Sequence, residues 1–320
     1  MEMQQLRYFL AVVKHGNFRR ASEELNITQS TLSRSIKKLE ESLGAQLLER
    51  GPKGVIATIF GETLQRHAQV VIQETYRASD EIRAIQGLVK GQVRIGITPN
   101  YGRYVIPNVL ASIRAELPEI DVSVTSAFYD DLMARLRRAE LDFVFGMFSL
   151  SPSEPDLSFK GLLLNYSYVY ARRDHPLANK KKVTLDQLSQ HSWVMPDDSG
   201  VEEFLKKYFH NNGHRMPRQV FKSNSLSFIR EAIVSADLLS IIPEHFAQED
   251  VDRGLIVRLD HDEIFFLAMS GLIHRTTGSR PPAANAIAKL FEQECGRIIA
   301  NEGNKLVFPV SDHETDWLNC

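Results

Sequence analysis

The segment Phe18–Leu39, reading FRRASEELNITQSTLSRSIKKL, constrains this chain more than any other. It carries two short helical periods separated at Asn26, close enough that only a tight turn fits between them. Upstream, Leu6, Phe9, Leu10 and Val13 recur at three- and four-residue spacing and predict an amphipathic first helix. Gly16 suits the left-handed residue that ends that helix, and Asn17 is an N-cap for a second helix with Ala21 and Leu25 facing inward. Ala21 is small where two helices would cross closely. Asn26 suits a left-handed turn, Ile27 plugs the core, and Thr28 offers its hydroxyl to a third helix. There Leu32, Ile36, Leu39 and Leu43 form one apolar stripe, and Gln29, Ser30, Thr31, Ser33, Arg34, Lys37 and Lys38 occupy the opposite face.

A helix with that polar, partly cationic face is suited to the major groove of double-stranded DNA. Gln pairs bidentately with adenine, hydroxyls reach bases or phosphates, and Arg and Lys supply phosphate attraction. The amino-terminal residues of such a helix approach the bases, which makes Gln29, Ser30 and Ser33 the reading candidates. A solvated helical pair would show a similar face, so two further features bear on the choice. Glu49-Arg50-Gly51-Pro52-Lys53-Gly54-Val55 reads as a β-hairpin wing, with Arg50 and Lys53 placed for the DNA backbone. Residues 1–58 hold nine Lys and Arg against six Asp and Glu, a net of +3, in a chain whose total is −2. A basic end on a near-neutral chain fits a local nucleic-acid contact.

Residues 3–67 resemble the winged helix-turn-helix of LysR-type transcriptional regulators. The carriers are Leu6-Arg7-Tyr8-Phe9, Gly16-Asn17-Phe18, Ala21, Thr28-Gln29 and Leu32-Ser33-Arg34. Ile36, Leu39-Glu40, Leu43-Gly44, Leu47-Leu48-Glu49-Arg50 and the pair Thr58 and Gly61 continue it. The chain departs from the family at Ser30, where Pro is usual, at Ala57, where Leu is usual, and at Phe60, where a small residue is usual. Ser30 adds a hydroxyl at the front of the reading helix, and Phe60 bears on how the wing packs against the next helix.

That next helix is predicted from about Thr58 to Gln86. Leu64, Ala68, Val71, Thr75, Ala78, Ile82 and Ile85 make a heptad seam interrupted only by Thr75. Over roughly 40 Å of helix, so narrow a stripe favours pairing with a second copy over intramolecular packing. Two copies would then read half-sites ~34 Å, or a multiple of that, apart. Gly87 and Val89-Lys90-Gly91 form the expected hinge into the remainder.

From Gln92 onward, short apolar strands alternate with helices. The strands are Val93–Ile97, Ile120–Thr125 and Leu141–Phe145, followed by a second similar unit that begins at Leu162–Ala171 and Trp193–Met195. A largely parallel sheet covered by helices is expected, with ligands at the carboxyl ends of its strands. Crossovers near residues 161–165 and 264–268 would leave a cleft between two lobes. This half resembles the family's effector-binding domain, similar in fold to periplasmic solute-binding proteins. It does so through Val93-Arg94-Ile95-Gly96, Pro107, Leu117-Pro118, Leu141-Asp142, Asp174-His175-Pro176-Leu177-Ala178 and Ile242-Pro243. Where the family often has a Gly-x-Gly pair, this chain reads Ser235-Ala236-Asp237-Leu238-Leu239, which is expected to reshape one cleft wall.

The expected architecture is an α+β winged helix-turn-helix (1–58), a long linker and dimerisation helix (59–90), and a two-lobed α/β periplasmic-binding-protein-like effector domain (91–300). Lobe I comprises 91–163 and 268–300, lobe II 164–267, and a tail follows at 301–320. Strand ends nominate Thr98, Asn100, Tyr101, Phe128, Gly146 and Met147 from one lobe as effector-binding residues. Asp197, Asp198, Ser199, Ser223, Asn224 and Ser225 are nominated from the other, with helix capping as the plainer role for the Ser, Thr and Asn residues. The helix amino ends at Pro99 and Ser199 suggest a small organic acid as effector.

Other chemistry is sparse. His210 and His214 have metal-pair spacing, but Asn211-Asn212-Gly213 breaks the helix between them, and His175 sits in a turn before Pro176 that is expected to be exposed. Cys295 and Cys320 provide no disulfide framework, and because Cys295 lies in the last helix and Cys320 ends the chain, a redox switch is not expected. No metal or cofactor is expected. No apolar run approaches the ~20 residues of a membrane span, and a cytoplasmic protein is expected. The resemblance implies a non-enzymatic transcription regulator that works as a homodimer or homotetramer on DNA, answers a small-molecule effector and contacts RNA polymerase.

Overall fold

Two compact units divide the chain. The computed structural model describes residues 1–51, 54–85, 91–102, 105–150, 152–217, 219–259, 265–278, 280–300 and 307–309.

The first unit opens with α1 (Met3–His15), α2 (Phe18–Glu24) and α3 (Gln29–Leu43). Its turns form for the reasons legible in the sequence. Gly16 ends α1 at φ +57°, and Asn17 Oδ1 accepts from the amides of Arg19 and Arg20. Asn26 takes φ +53°, and Thr28 Oγ1 accepts from the Thr31 amide at 3.2 Å. Phe9, Val12, Ala21, Leu32, Ile36 and Leu39 make a shared core. The α3 stripe ends there: Leu43 is 43% exposed, because the chain leaves the helix at Gly44 and sends Leu47 and Leu48 back into the core instead. Glu40 holds that return, its Oε1 accepting from the Leu47 amide at 2.8 Å and the Leu48 amide at 3.2 Å.

The wing is the antiparallel pair β1 (Leu48–Gly51) and β2 (Gly54–Ala57). It closes onto the α1–α2 turn through Val55 N–H donating to Gly16 O at 2.7 Å. α4 (Ile59–Ile85) then runs for 27 residues. Its predicted seam divides. Leu64 and Ala68 pack with Ile72 against Leu6, Met3 and Leu10 of α1. Val71, Thr75, Ala78 and Ile82 are exposed. The four-residue step from Ala68 to Ile72 follows the α1 contact more closely than a heptad does, so the first half of the helix is spent within the chain. Phe60 is exposed and lies outside the wing core. The expected hinge at 87 and 89–90 lies outside the described residues.

The second unit begins with β3 (Gly91–Ile97), a single 3-10 turn at Pro99–Tyr101, α5 (Ile106–Glu116), β4 (Ile120–Ser126), α6 (Tyr129–Arg137) and β5 (Phe143–Phe148). β3 pairs in parallel with β4 and β5. β6 (Leu157–Arg172) then leaves this lobe as one 16-residue strand. The second lobe follows as α7 (Leu185–Gln190), β7 (Trp193–Pro196), α8 (Ser199–Asn211), β8 (Val220–Ser223), α9 (Leu226–Ser235), β9 (Ser240–Pro243), α10 (Glu244–Asp252) and β10 (Ile256–Arg258). β11 (Phe265–Arg275) returns to the first lobe, and α11 (Pro282–Ala300) packs over it.

The sheet is less parallel than expected. β6 and β11 pair antiparallel from Tyr168–Phe265 to Leu157–Arg275, so the two crossovers are one continuous ribbon shared by both lobes. β9 and β10 also pair antiparallel with β6, while β7 and β8 are parallel. Each lobe has its own core: Ile95, Phe143, Phe145 and Phe291 in the first, Trp193, Leu205, Phe209 and Ile241 in the second. Of the tail, β12 (Val307–Pro309) pairs antiparallel with Leu163–Asn165 of β6.

Candidate functional site

On α3 the cap at Thr28 sets the helix start, and Gln29, Ser30, Thr31, Ser33, Arg34, Lys37 and Lys38 are all exposed. The Ser30 and Thr31 hydroxyls lie 3.0 and 2.8 Å from Thr28 Oγ1, so both belong to the cap as it stands. Lys37 reaches Glu41 at 3.8 Å with both side chains mostly in water, a pairing of little energetic weight. Arg34 and Lys38 make no ion pair among the described residues, which leaves their charge available. Arg50 pairs through its backbone with Val55. Its side chain, like all of Lys53, lies outside the described residues. Arg20, exposed on α2 beside the Asn17 cap and without an ion pair among the described residues, was missed. The basic pair Arg19-Arg20 was the signal for it.

The second unit encloses a cavity of about 510 Å³ walled by both lobes and the ribbon between them. Thr98, Asn100, Phe128, Met147 and Asp198 line it, as strand ends predict. The other nominated side chains stand elsewhere. Tyr101 is fully buried behind the wall, its hydroxyl donating to Asn165 Oδ1 at 3.0 Å and contacting Ser270 Oγ. Gly146 makes room for the wall, since a Cβ there would meet Thr98 Cγ2 at 2.8 Å. Asp197 is exposed, and its amide donates to Ser223 O. Ser223 Oγ accepts from the Ser225 amide, Ser225 Oγ caps α9 through the Phe228 amide, and Asn224 is exposed. These serines act as caps. The Ser199 side chain lies outside the described residues.

Sequence reasoning missed the ribbon's share of the wall: Ser167 from β6, Phe266 and Ala268 from β11, and Pro243 at the end of β9. Side chains alternating across two long strands carried that signal once the strands were known to be continuous. His245 was also missed, although it follows the end of β9. It is buried, stacks on Tyr101 at 5.1 Å and sits 3.2 Å from Asn100 Nδ2, joining the second lobe to the first behind the cavity. Burial pushes its imidazole down to about 3, so it is neutral at physiological pH.

The two helix ends expected to hold a carboxylate are not free to do so. At α8 the Gly200 and Val201 amides already donate to Asp198 Oδ1, at 3.0 and 3.3 Å. At Pro99 there is one 3-10 turn, and its first residue has no N–H. Burial raises the Asp198 carboxyl above its usual range against the opposing pull of its backbone donors, and Asp130 nearby raises it further.

Two further expectations are corrected. Asp237 and Leu238 do not appear in the cavity wall. Asp237 takes the left-handed φ of +57° that a glycine would take and accepts from Arg172 Nε at 2.7 Å, while Leu238 packs in a lobe core. His175 is buried rather than exposed, its Nδ1 accepting from the Leu177 amide at 3.1 Å. His214, beyond the break at Asn211-Asn212-Gly213, faces Asp186 at 3.0 Å. Among the described residues no group of three His, Cys, Asp or Glu side chains is placed to hold a metal, and no helix is long and apolar enough to cross a membrane. Cys295 is buried, with its thiol pushed up to about 12, and so is no ready nucleophile.

Comparison with known proteins agrees with this division of labour. The family described as "Bacterial regulatory helix-turn-helix protein, lysR family" matches residues 3–62, and that described as "LysR substrate binding domain" matches residues 86–296. The HTH-type transcriptional regulator CysL of Bacillus subtilis is 29% identical over 247 residues, covering 77% of this chain and 82% of the relative. Two solved structures share the fold. Full-length OxyR from Pseudomonas aeruginosa has a TM-score of 0.67 at 24% identity, over 91% of this chain and 94% of that one. ArgP from Mycobacterium tuberculosis has a TM-score of 0.68 at 20% identity, over 91% and 96%.

Proposed function

This chain belongs to the LysR family of bacterial transcriptional regulators, and from that premise we propose how its parts divide the work. α3 enters the major groove of a specific double-stranded site in the cytoplasm. Gln29, Ser30 and Ser33 face the bases, and Thr31, Arg34, Lys37, Lys38 and the wing residues Arg50 and Lys53 hold the phosphates. The observation that carries this reading is the exposed α3 face, on which the guanidinium of Arg34 and the ammonium of Lys38 have no ion-pair partner among the described residues.

The exposed half of the α4 seam, Val71, Ala78 and Ile82, joins a second copy. That pairing gives the two-fold arrangement an interrupted palindrome requires. The cavity in the second unit holds the effector, which acts by binding one arrangement of the oligomer better than another. Thr98, Asn100, Phe128 and Met147 contact it, with the ribbon residues Ser167, Phe266 and Ala268. The protein regulates transcription rather than catalysing a reaction, and the DNA-bound oligomer contacts RNA polymerase.

Binding of the full-length protein to its own promoter fragment, measured across salt concentration, tests the DNA assignment. Affinity should fall steeply as salt rises, through release of counterions from the phosphates. Arg34→Ala should weaken binding to every sequence, and Gln29→Ala should weaken binding and also relax sequence preference. Parent-like binding by both variants would remove α3 from the interface.

A further inference from the structure

We propose that the cavity takes a cationic organic ligand, an ammonium carried on an apolar or aromatic body, rather than an organic acid. The proposal rests on the cavity being the effector site and concerns which class of molecule it admits.

The walls supply the first half of the argument. Phe128, Met147, Phe148, Phe204, Ile241 and Phe266 make most of the lining apolar, and four of the six are aromatic. Aromatic rings attract a cation that reaches their faces, through the ring quadrupole, and offer an anion no such gain.

The charges supply the second half. Asp130 and Asp198 both line the cavity, and neither has a cationic partner among the described residues. The lining ammonium that is described, Lys207, is 70% exposed and is paired with the similarly exposed Glu203 at 2.7 Å, so its charge is screened by water and offset by a neighbouring carboxylate. The α8 amino end is closed to an incoming carboxylate because Asp198 already occupies it. An organic acid would therefore lose its hydration beside two carboxylates, with only a solvent-screened, already paired ammonium to receive it. An ammonium meets both carboxylates favourably. Burial holds the Asp198 carboxyl above its ordinary range, a strain that a neighbouring positive charge relieves.

One further group awaits a ligand. Thr98 lines the same cavity and is 5% exposed, and its Oγ1 is buried without a hydrogen-bond partner among the described residues. A ligand N–H donating to that oxygen would satisfy it.

The test is calorimetric titration of the full-length protein with phenethylamine, phenylacetate and phenethyl alcohol, which share a ring and differ in charge. Phenethylamine is expected to bind about tenfold or more tightly than phenylacetate, with the alcohol between them. Asp130 is exposed, so Asp130→Lys should fold normally and should erase or reverse that order. Equal or tighter binding of phenylacetate by the parent overturns the proposal, as does the absence of heat from all three probes. If phenylacetate wins and Asp130→Lys tightens it further, the ligand class is wrong while the cavity remains the binding site. If Asp130→Lys changes no affinity, the binding lies elsewhere and the cavity reading falls too. The α3 substitutions report on DNA binding independently of each of these results.

Discussion

Burial of His245 makes one contribution to the acid stability of the second unit calculable. Its ring is buried on Tyr101 and beside Asn100, and burial lowers its pKa to about 3, against about 6.5 in an unfolded chain. Above the unfolded value the ring is neutral in both states, and its contribution to stability is fully present. As pH falls below about 6.5 the unfolded chain takes up a proton that the folded one refuses, and stability is lost progressively until the folded ring titrates near 3. Between about pH 7.5 and about pH 5.5 the loss is about 1.4 kcal/mol, and at about pH 5 it reaches about 2 kcal/mol. Denaturant unfolding followed by the fluorescence of Trp193, buried in the second lobe, measures them. The comparison is with His245→Gln, which removes the titrating ring while the other groups remain and cancel. The parent should lose about 1.4 kcal/mol more than the variant over that pH interval. Parallel losses would show that the ring titrates normally in the folded state and would refute its burial as the cause.

The first unit offers sharper local tests, each read from thermal or urea unfolding. Thr28→Ala removes the oxygen that accepts the Thr31 amide and should cost about 1 kcal/mol. Gly61→Ala places a Cβ 2.1 Å from the Leu47 carbonyl oxygen and 3.1 Å from Ala57 Cβ. Because the nearest obstacle is backbone, the start of α4 must shift, at about 2 kcal/mol. Leu32→Ala opens a void under a fully buried side chain and should cost about 3 kcal/mol. Leu43→Ala, on the same predicted stripe but exposed, should stay within about 0.5 kcal/mol. Equal costs for the two leucines would contradict the point at which the α3 core ends.

The helix-turn-helix was legible in the sequence because its determinants are local. Gly16, Asn17, Asn26 and Thr28 each act on backbone within four residues, so their types and spacing specify the turns and caps that the structure contains. The strands β3, β4 and β5, and the helices between them, were legible for the same reason. What the sequence left open depends on partners far along the chain. Whether Leu43 is covered depends on where Leu47 and Leu48 return, and whether Ala68 serves a second copy depends on where α1 lies. The cavity shows the limit most clearly. Strand ends placed Thr98, Asn100, Phe128 and Met147 in its wall, while Ser167 and Ala268 entered through a ribbon that pairs residues about a hundred positions apart. Asp198 was legible as a strand-end candidate, but its role there was not. Asp198 occupies a helix end that the sequence offered to a ligand, and it does so by folding back on the amides of Gly200 and Val201. The sequence by itself determined a winged helix-turn-helix joined to a two-lobed α/β domain, because periodicity and capping act over short range. Only the tertiary structure decided which side chains wall the cavity and what charge they leave uncompensated, because burial and pairing are set by distant segments brought together.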